Sequence, residues 1–446
     1  MIHINAFTQC TPISQSIGQW RNPADRMAAG YRDLAVWTDL ARTLEAGCID
    51  ALFFADIHGI YDGYGASHEA AVQHAVQVPG ADPTLLIPAL AAATTHLGFA
   101  VTYSTSYHAP YECARLFSSL DHFTGGRIGW NVVTSYMKNA AANGLGAALP
   151  HDERYDQADD YMEAVYKLWE GSWAEDAVVR DAATATFSDP ARVRTIDHHG
   201  PYYEVRGPHM CEPSIQRTPV IYQAGSSPRG IQFGAKHGEA LFVAFGSPQS
   251  SAKLTARIRQ AVAEAGRDPA SMRIMLAIMP IVGETEAEAR RKYETALHYA
   301  DVEGALALFG GWTGIDLSQF SPDDMIEDID NQAMASIAKA NRGKRLKDFY
   351  GELKLGAFGP KIIGSPTQVA DELERWVEVG GVDGFNITPV VQPGSHEDFV
   401  HLVVPELQRR GLFRRHYEGA TLREHYFGPG HSRAAGDHPS ARYRFA

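Results

Sequence analysis

The sequence predicts a (β/α)8 barrel of parallel strands, formed as one domain over residues 1–446, with insertions after the fourth and seventh strands. Eight short apolar runs recur along the chain, and each is followed by a longer segment with helical spacing of its apolar residues. Strand–helix alternation repeated eight times is typical of this fold. A chain of 446 residues with 45% hydrophobic side chains can also bury the large core that a barrel requires.

The predicted strands are short, and helical segments separate them. Apolar residues in these segments lie three and four positions apart, and glycine or proline marks their ends, as in YRDLAVWTDLARTLEAG and SPTQVADELERWVEVGG. Because parallel neighbours need a long crossover, this spacing favours a parallel sheet. The strands are expected at residues 2–7, 50–56, 97–105, 127–135, 219–225, 240–245, 273–283 and 384–390.

Two segments interrupt the regular alternation, and a tail follows it. In the first insertion, about 171–218, VRTIDHHGPYYEVRG predicts a hairpin with His198 and His199 as solvated turn residues. The second insertion, about 285–364, follows the seventh strand at the active end of the barrel, where such a segment is more often a lid or pocket wall than a linker. The tail, residues 411–446, is basic and aromatic and is interpreted as an arm or a dimer contact.

Composition excludes several classes of partner. With 40 Lys and Arg against 53 Asp and Glu, the formal net charge is -13, so the chain lacks the basic face that nucleic acid or an anionic membrane requires. A local basic pocket for one phosphate remains compatible with this charge. Four dispersed cysteines, no signal-peptide pattern and no apolar run of about eighteen residues predict a reduced, cytoplasmic protein without a membrane partner.

Polar residues follow the predicted strands at their carboxyl ends, where a barrel of this kind carries its active site. A catalytic metal is not expected, because barrel hydrolases need paired histidines near the first strand and only His3 lies there. The strand-end residues are Asn5, Cys10, Asp56, His58, Tyr61, Thr102, Ser104, His108, Asn131, Thr134, Ser135, Tyr136, Gln223, Ser226, Ser227 and Asn386.

Four features have two interpretations each. In QAGSSPRG, Ser226, Ser227 and a helix N-terminus form a cradle for a phosphate, or a serine simply caps the helix ahead of Pro228. Asp56 is an acid, base or ligand-orienting acceptor, or it caps the next segment. Cys10 is either a pocket residue or an inert small hydrophobe. The acidic helix beginning at His151, with Arg154 and Tyr155, is a capped surface helix or part of the site.

The same stretches resemble a known family. The segments INAF, FFADIHGIYDGYG, GGRIGWNVVTSY, HDERYDQADDYMEAVYKLWEGSW and PVIYQAGSSPRG are similar to those of the bacterial-luciferase-like flavin monooxygenases. The resemblance is to the branch with nitrilotriacetate, EDTA, dibenzothiophene-sulfone and long-chain alkane monooxygenases. It extends over nearly the whole chain, and GRIGWNVVTS is specific to that branch.

The resemblance implies a luciferase-type barrel that binds reduced FMN (FMNH2) from a separate NAD(P)H:flavin reductase. Oxygen adds to the reduced flavin to give a peroxyflavin, which inserts one oxygen atom into a small or long-chain organic substrate. A homodimer or homotetramer is implied as well. The matching positions place Asp56, Thr102 and Asn131 near the isoalloxazine or ribityl chain. They place four further residues around the phosphate: His151, Tyr155, Ser226 and Ser227.

This chemistry calls for a closed apolar chamber rather than a protein nucleophile. His108 and Tyr136 are the candidate hydrogen-bond donors to the peroxide. Cys10 and Tyr61 fall where the alkane monooxygenases carry a pocket cysteine and tyrosine, whereas Tyr136 replaces a histidine of those enzymes. The alternatives are a deazaflavin-dependent hydride-transfer enzyme, a flavin-binding relative without turnover and, third, a metal-dependent hydrolase.

Overall fold

The computed structural model describes residues 1–135, 137, 142–144, 149–225, 227–244, 246–328, 343–356 and 359–445. In these residues the strands are β1 (His3–Gln9), β2 (Ala51–Ala55), β3 (Gly98–Ser104), β4 (Ile128–Val133), β5 (Val178–Asp181), β6 (Thr186–Ser188), β7 (His198–His199), β8 (Glu204–Val205), β9 (Val220–Ala224), β10 (Ala240–Val243), β11 (Arg273–Val282), β12 (Lys361–Gly364) and β13 (Gly384–Ile387).

The α-helices in the same residues are α1 (Met27–Gly30), α2 (Leu34–Ala46), α3 (Glu69–Gln73), α4 (Ile87–Ala92), α5 (Pro110–Thr124), α6 (His151–Tyr166), α7 (Pro228–His237), α8 (Pro248–Glu264), α9 (Glu286–Tyr299), α10 (Val302–Thr313), α11 (Leu346–Leu353), α12 (Pro366–Glu378), α13 (Gly394–Asp398), α14 (Val404–Arg409) and α15 (Leu422–Phe427). Their first turns follow capping rules: Asp33 accepts from the Ala35 amide at α2, and Ser365 forms a capping box with Gln368 at α12. None of these helices has the length and apolar character needed to span a membrane.

Eight parallel strands close into a barrel. Their order is β1, β2, β3, β4, β9, β10, β11 and β13, and β13 pairs with β1 to complete the ring. All eight predicted strands and the predicted fold class are therefore confirmed. One parallel strand was not predicted: β12 pairs with the second half of β11, with Lys361 opposite Met279, and extends the sheet beside the barrel.

Aromatic side chains fill the middle of the barrel. Alternate strand residues point inward, and among them Phe53 and Phe242 meet edge to face with ring centroids 4.6 Å apart. Tyr222 stacks on Phe242 at 5.5 Å. This interior is packed solid, so open space is left towards the carboxyl ends of the strands.

The C-terminal tail closes the other end of the barrel. Leu422 and Tyr426 of α15 belong to the interior cluster, and the Tyr426 hydroxyl donates to Asn5 Oδ1 at 2.7 Å. Gly98 leaves room for this plug, because a Cβ there would lie 2.4 Å from Leu422. The tail was interpreted as an arm or a dimer contact, and its helix α15 forms the barrel floor.

The first insertion contains two hairpins, β5–β6 and β7–β8. The second is the hairpin expected from VRTIDHHGPYYEVRG. Its histidines differ: His199 is exposed, as expected, whereas His198 is buried and belongs to a strand rather than a turn. His198 accepts from Lys167 Nζ at 3.1 Å and lies 3.1 Å from an Asp160 carboxylate oxygen, so two charged partners stabilise it inside. The expectation of a solvated His198 was wrong.

The second insertion contributes α9, α10, α11 and β12. Helices α10 and α11 pack through an apolar cluster in which Phe309 and Phe349 meet edge to face, 5.5 Å apart. Residues 329–342 of the insertion lie outside the described residues. Trp312, near the end of α10, lies at the wall of the cavity described below.

Candidate active site

A cavity of about 650 Å³ lies at the carboxyl ends of the barrel strands. All eight barrel strands contribute to its wall, as do the loops that follow β2 and β4. Its volume is in the range of cofactor-sized and drug-sized sites. Six of the residues that the family resemblance assigned to the flavin or the substrate pocket line it, namely Asp56, Tyr61, Thr102, Asn131, His151 and Tyr155.

Two asparagines in the cavity wall carry unpaired carbonyl oxygens. Asn131 donates from Nδ2 to the Thr102 hydroxyl at 2.9 Å, but its buried Oδ1 has no hydrogen-bond partner. The buried Oδ1 of Asn386 is also without a partner. An unsatisfied buried carbonyl costs free energy, so both positions suit a ligand that donates from N–H groups. The pyrimidine edge of an isoalloxazine ring is such a donor.

Asp56 directly follows β2 and faces the same cavity. Burial raises the pKa of its carboxyl to about 7, a hydrogen bond from the Ile57 amide opposes this, and the negative charge of Asp82 adds to it. The Asp56 carboxyl is therefore close to half-protonated at neutral pH, which is the condition for taking up and releasing a proton near that pH.

Cationic and hydroxyl donors meet where α6 begins. Arg154 donates from Nη1 to the Ser135 carbonyl, and its buried Nε has no partner. His151 Nε2 lies 3.5 Å from the Ser227 hydroxyl. Burial raises the pKa of Tyr155, so its phenol stays a donor. We call this group of side chains (His151, Arg154, Tyr155 and Ser227) the cationic end.

The loop after β9 closely approaches the cationic end. A Cβ at Gly225 would lie 2.5 Å from Gln223 and 3.2 Å from the Tyr155 hydroxyl, so the backbone can approach only because this residue is glycine. Ser227 caps α7 by accepting from the Gly230 amide at 3.0 Å. The capping interpretation of QAGSSPRG thus applies to Ser227, whose hydroxyl hydrogen is still free to be donated. Ser226 lies outside the described residues.

The cavity becomes apolar towards α10. Ile57, Tyr61, Met137 and Trp312 pack together there with buried aliphatic residues. The Tyr61 hydroxyl donates to Gln77 at 3.0 Å. We call this region, formed by Ile57, Tyr61, Met137 and Trp312, the apolar end.

Cys10 does not reach the cavity. Phe7 and Gln9 of β1 point into it, so strand alternation turns Cys10 towards the surrounding helices, where it is buried in the main apolar core. Its thiol lies 3.7 Å from the Tyr31 carbonyl, and burial raises the thiol pKa to about 11. The structure thus places Cys10 in the core and not in the cavity wall, which favours the inert alternative.

His108 also lies outside the wall of the cavity. Its Nε2 is 3.3 Å from Nε2 of His58, which does line the cavity, and its ring stacks on Tyr103 at 3.8 Å. His108 therefore contacts the cavity wall through His58. Tyr136, the other predicted donor, lies outside the described residues.

Several wall residues were not chosen from the sequence. Gln9 could have been found from strand alternation, because it shares a face with Phe7. Arg154 and Asn386 were noticed but not selected as ligand contacts. Gln77 and Trp312 gave no local signal, because they lie in loops and an insertion that reach the cavity only in the folded chain.

A family model described as luciferase-like monooxygenase matches residues 16–383. The dimethyl-sulfide monooxygenase of Hyphomicrobium sulfonivorans is 46% identical, over 100% of this chain and 94% of that protein. The long-chain alkane monooxygenase of Geobacillus thermodenitrificans strain NG80-2 is 47% identical, over 99% of this chain and 98% of that protein. The predicted branch is therefore confirmed.

Solved structures agree with this placement. A crystal structure of long-chain alkane monooxygenase superposes with a TM-score of 0.93, at 46% identity and 99% coverage of both chains. A riboflavin lyase structure with modified FMN and riboflavin gives a TM-score of 0.93, at 36% identity and 100% coverage of both chains. The chain belongs to the luciferase-like monooxygenase family.

Proposed function

We propose that this protein is the oxygenase of a two-component flavin-dependent monooxygenase. It takes reduced FMN from a separate NAD(P)H:flavin reductase and transfers one atom of O2 to an uncharged organic substrate, while the other atom leaves as water. One observation carries the proposal: a single cavity joins the cationic end, the two unpaired asparagine carbonyls and the apolar end. These three parts match a phosphate, a flavin ring and an apolar substrate.

The residues present suit FMN. The cationic end would hold the phosphate through His151, Arg154 and Tyr155, since charged donors bind phosphate oxygens strongly. Asn131 and Asn386 would accept hydrogen bonds from the ring. When bound, reduced FMN supplies the two electrons that activate O2.

The apolar end of the cavity would place the substrate and exclude water. Ile57, Met137 and Trp312 line this end mainly with hydrocarbon and aromatic surface. Excluding water protects such a species from hydrolysis or decay. The Tyr61 hydroxyl, fixed by Gln77, would offer a polar contact that orients a substrate there.

Charge distribution favours an uncharged substrate. Among the described wall residues, Asp56 is the one carboxylate and Arg154 the one arginine or lysine. Arg154 lies at the cationic end, so a polyanion at the apolar end would meet no permanent cation among the described residues of the wall. Burying an unpaired charge costs on the order of several kcal/mol. Aminopolycarboxylates carry several negative charges and are therefore disfavoured as substrates.

Turnover with a supplied reductase tests this function. Purified protein is mixed with FMN, NADH, a flavin reductase and O2, and oxygenated products are sought from dialkyl sulfides, alkanes, aryl sulfones, ring ketones, riboflavin and an aminopolycarboxylate. Product is expected from an uncharged compound and only when the oxygenase is present. Binding of reduced FMN without product from any compound would favour a flavin-binding protein without turnover.

Replacing Arg154 with glutamine is expected to weaken FMNH2 binding by about 10- to 100-fold, because one charge-assisted contact to phosphate is lost. Reduced riboflavin has the same ring but no phosphate, so its affinity should stay unchanged. Anaerobic titration calorimetry measures both. Arg180→Gln, at an exposed arginine of the β5–β6 hairpin, is the matched control. An equal loss for both flavins would contradict a phosphate contact.

A further inference from the structure

Two histidines outside the flavin-contacting set form a close pair beside the cavity. The Nε2 atoms of His58 and His108 are 3.3 Å apart, and their rings meet at 70°. At this distance two lone pairs would repel each other, and so would two N–H groups. One nitrogen therefore carries the hydrogen and donates it to the other. The pair therefore shares one proton between its two facing nitrogens.

The same pair continues towards Asp56. His58 Nδ1 lies 4.0 Å from Asp56 Oδ2, a gap that one water or a small side-chain rotation closes. His58 and Asp56 both line the cavity, whereas His108 does not and is partly exposed. His58 thus has Nδ1 on the side of Asp56 and Nε2 on the side of His108.

Burial keeps both rings neutral at neutral pH. Burial lowers the pKa of His58, and it lowers the pKa of His108 to about 4, with the neighbouring imidazole acting in the same direction and Asp82 opposing it. Among the described residues, the other titratable side chains packed on the two rings are phenols: Tyr103 stacks on His108, and Tyr107 packs on His58 at 5.3 Å. A neutral imidazole accepts a proton on one nitrogen and releases one from the other, which suits transfer more than storage.

We propose that His58 and His108 carry protons between Asp56 in the cavity and the solvent. The inference rests on the proposed monooxygenase function. In that reaction FMNH2, O2 and the substrate give FMN, water and the oxygenated product. Both hydrogens of the reduced flavin end in the water, O2 takes up four electrons, and the flavin and the substrate each lose two. The flavin ring loses its protons and the departing oxygen atom gains them in separate steps. A cavity that excludes water therefore needs a route by which protons can leave and enter.

Each transfer through the pair is balanced. Asp56 gives its proton to His58 Nδ1 while His58 Nε2–H passes its proton to His108 Nε2, and His108 releases a proton from Nδ1 to water. The reverse sequence brings a proton in. Asp56 is the acid nearest the cavity, and His108 acts through His58 as a positioning and relay residue.

Histidine NMR tests the pair without any flavin. The full-length protein is labelled with ¹⁵N-histidine, and the two ring signals are assigned by their loss in His58→Gln and His108→Gln. We expect opposite tautomers for the two rings. We also expect the pKa of His108 to rise when His58 is replaced, because the neighbouring imidazole that lowers it is then absent. His122→Gln, an exposed histidine of α5, should leave both signals unchanged. Independent titration of the two rings would overturn the relay.

Kinetics of the oxygenase with its reductase provide the second measurement. His58→Gln and His108→Gln should each lower kcat by about 100-fold with little change in FMNH2 affinity, alter the pH profile and change the solvent deuterium isotope effect. Wild-type kcat and an unmoved pH profile in both variants would overturn the relay while leaving the monooxygenase function intact. A wild-type enzyme that oxygenates nothing would overturn both.

Discussion

Arg423→Met is expected to lower the free energy of unfolding by about 3–5 kcal/mol, as for other broken buried ion pairs. The Arg423 side chain is fully buried beneath the barrel, where Nε and Nη2 bind the two carboxylate oxygens of Glu239 at 2.8 and 3.0 Å. Its remaining N–H groups bind Gln216, Thr218 and Ser432. Burial raises the pKa of Glu239, but the guanidinium more than offsets this and holds it below its usual value. Methionine would leave that carboxylate buried without its cation.

Urea unfolding followed by circular dichroism measures the loss. The matched control is Arg409→Met, which removes an equally bidentate pair with Glu406 from an exposed surface and should cause no measurable change. Adding Glu239→Gln to Arg423→Met should recover part of the stability, because the unpaired charge is removed. A loss for Arg423→Met no larger than for Arg409→Met would show that the tail does not anchor the barrel.

Stability is also expected to fall as the pH drops from about 6.5 towards 4, because buried histidines are neutral in the fold. Burial lowers the pKa of each of them, so the unfolded chain binds protons first and the stability present above pH 6.5 is lost in this window. The carboxyl pKa values raised by burial, about 6 for Asp25 and about 7 for Asp56, oppose this loss but involve fewer groups. The buried histidines with a pKa of about 4 or 3 are His209, His237, His396, His425 and His438, and the partly exposed His108 also has a pKa of about 4.

His438 isolates the effect. Its Nδ1 accepts from the Ser440 amide at 3.2 Å and its Nε2 lies 2.9 Å from the His237 carbonyl, so the neutral ring already satisfies both neighbours. His438→Gln keeps a donor and an acceptor but cannot titrate. The stability lost between pH 7 and pH 5, measured by urea unfolding, should be smaller by about 2 kcal/mol in this variant. The exposed His431→Gln, in the same tail, should lose as much as the wild type. Equal losses in all three proteins would mean that His438 is protonated in the fold.

The positions of the strands were predictable, because a parallel strand covered on both faces must be apolar along most of its length. The candidate site was predictable only in part. Strand ends identify Asp56, Thr102 and Asn131, which line the cavity, but they also identify Cys10, which does not. A shift of one residue moves a side chain to the other face of a strand. The sequence of β1 does not show which of its last residues points into the barrel.

The sequence by itself determined the barrel, its family and the flavin chemistry that the family implies. The barrel follows from the local periodicity of apolar residues, and the family follows from contiguous motifs. The tertiary structure alone decided which strand-end residues share a cavity, that the tail forms the barrel floor, and that His58 meets His108 fifty residues further on. Such contacts join segments that are distant in sequence. They depend on the paths of the loops and on the packing of the core, which the local spacing of residues does not reveal.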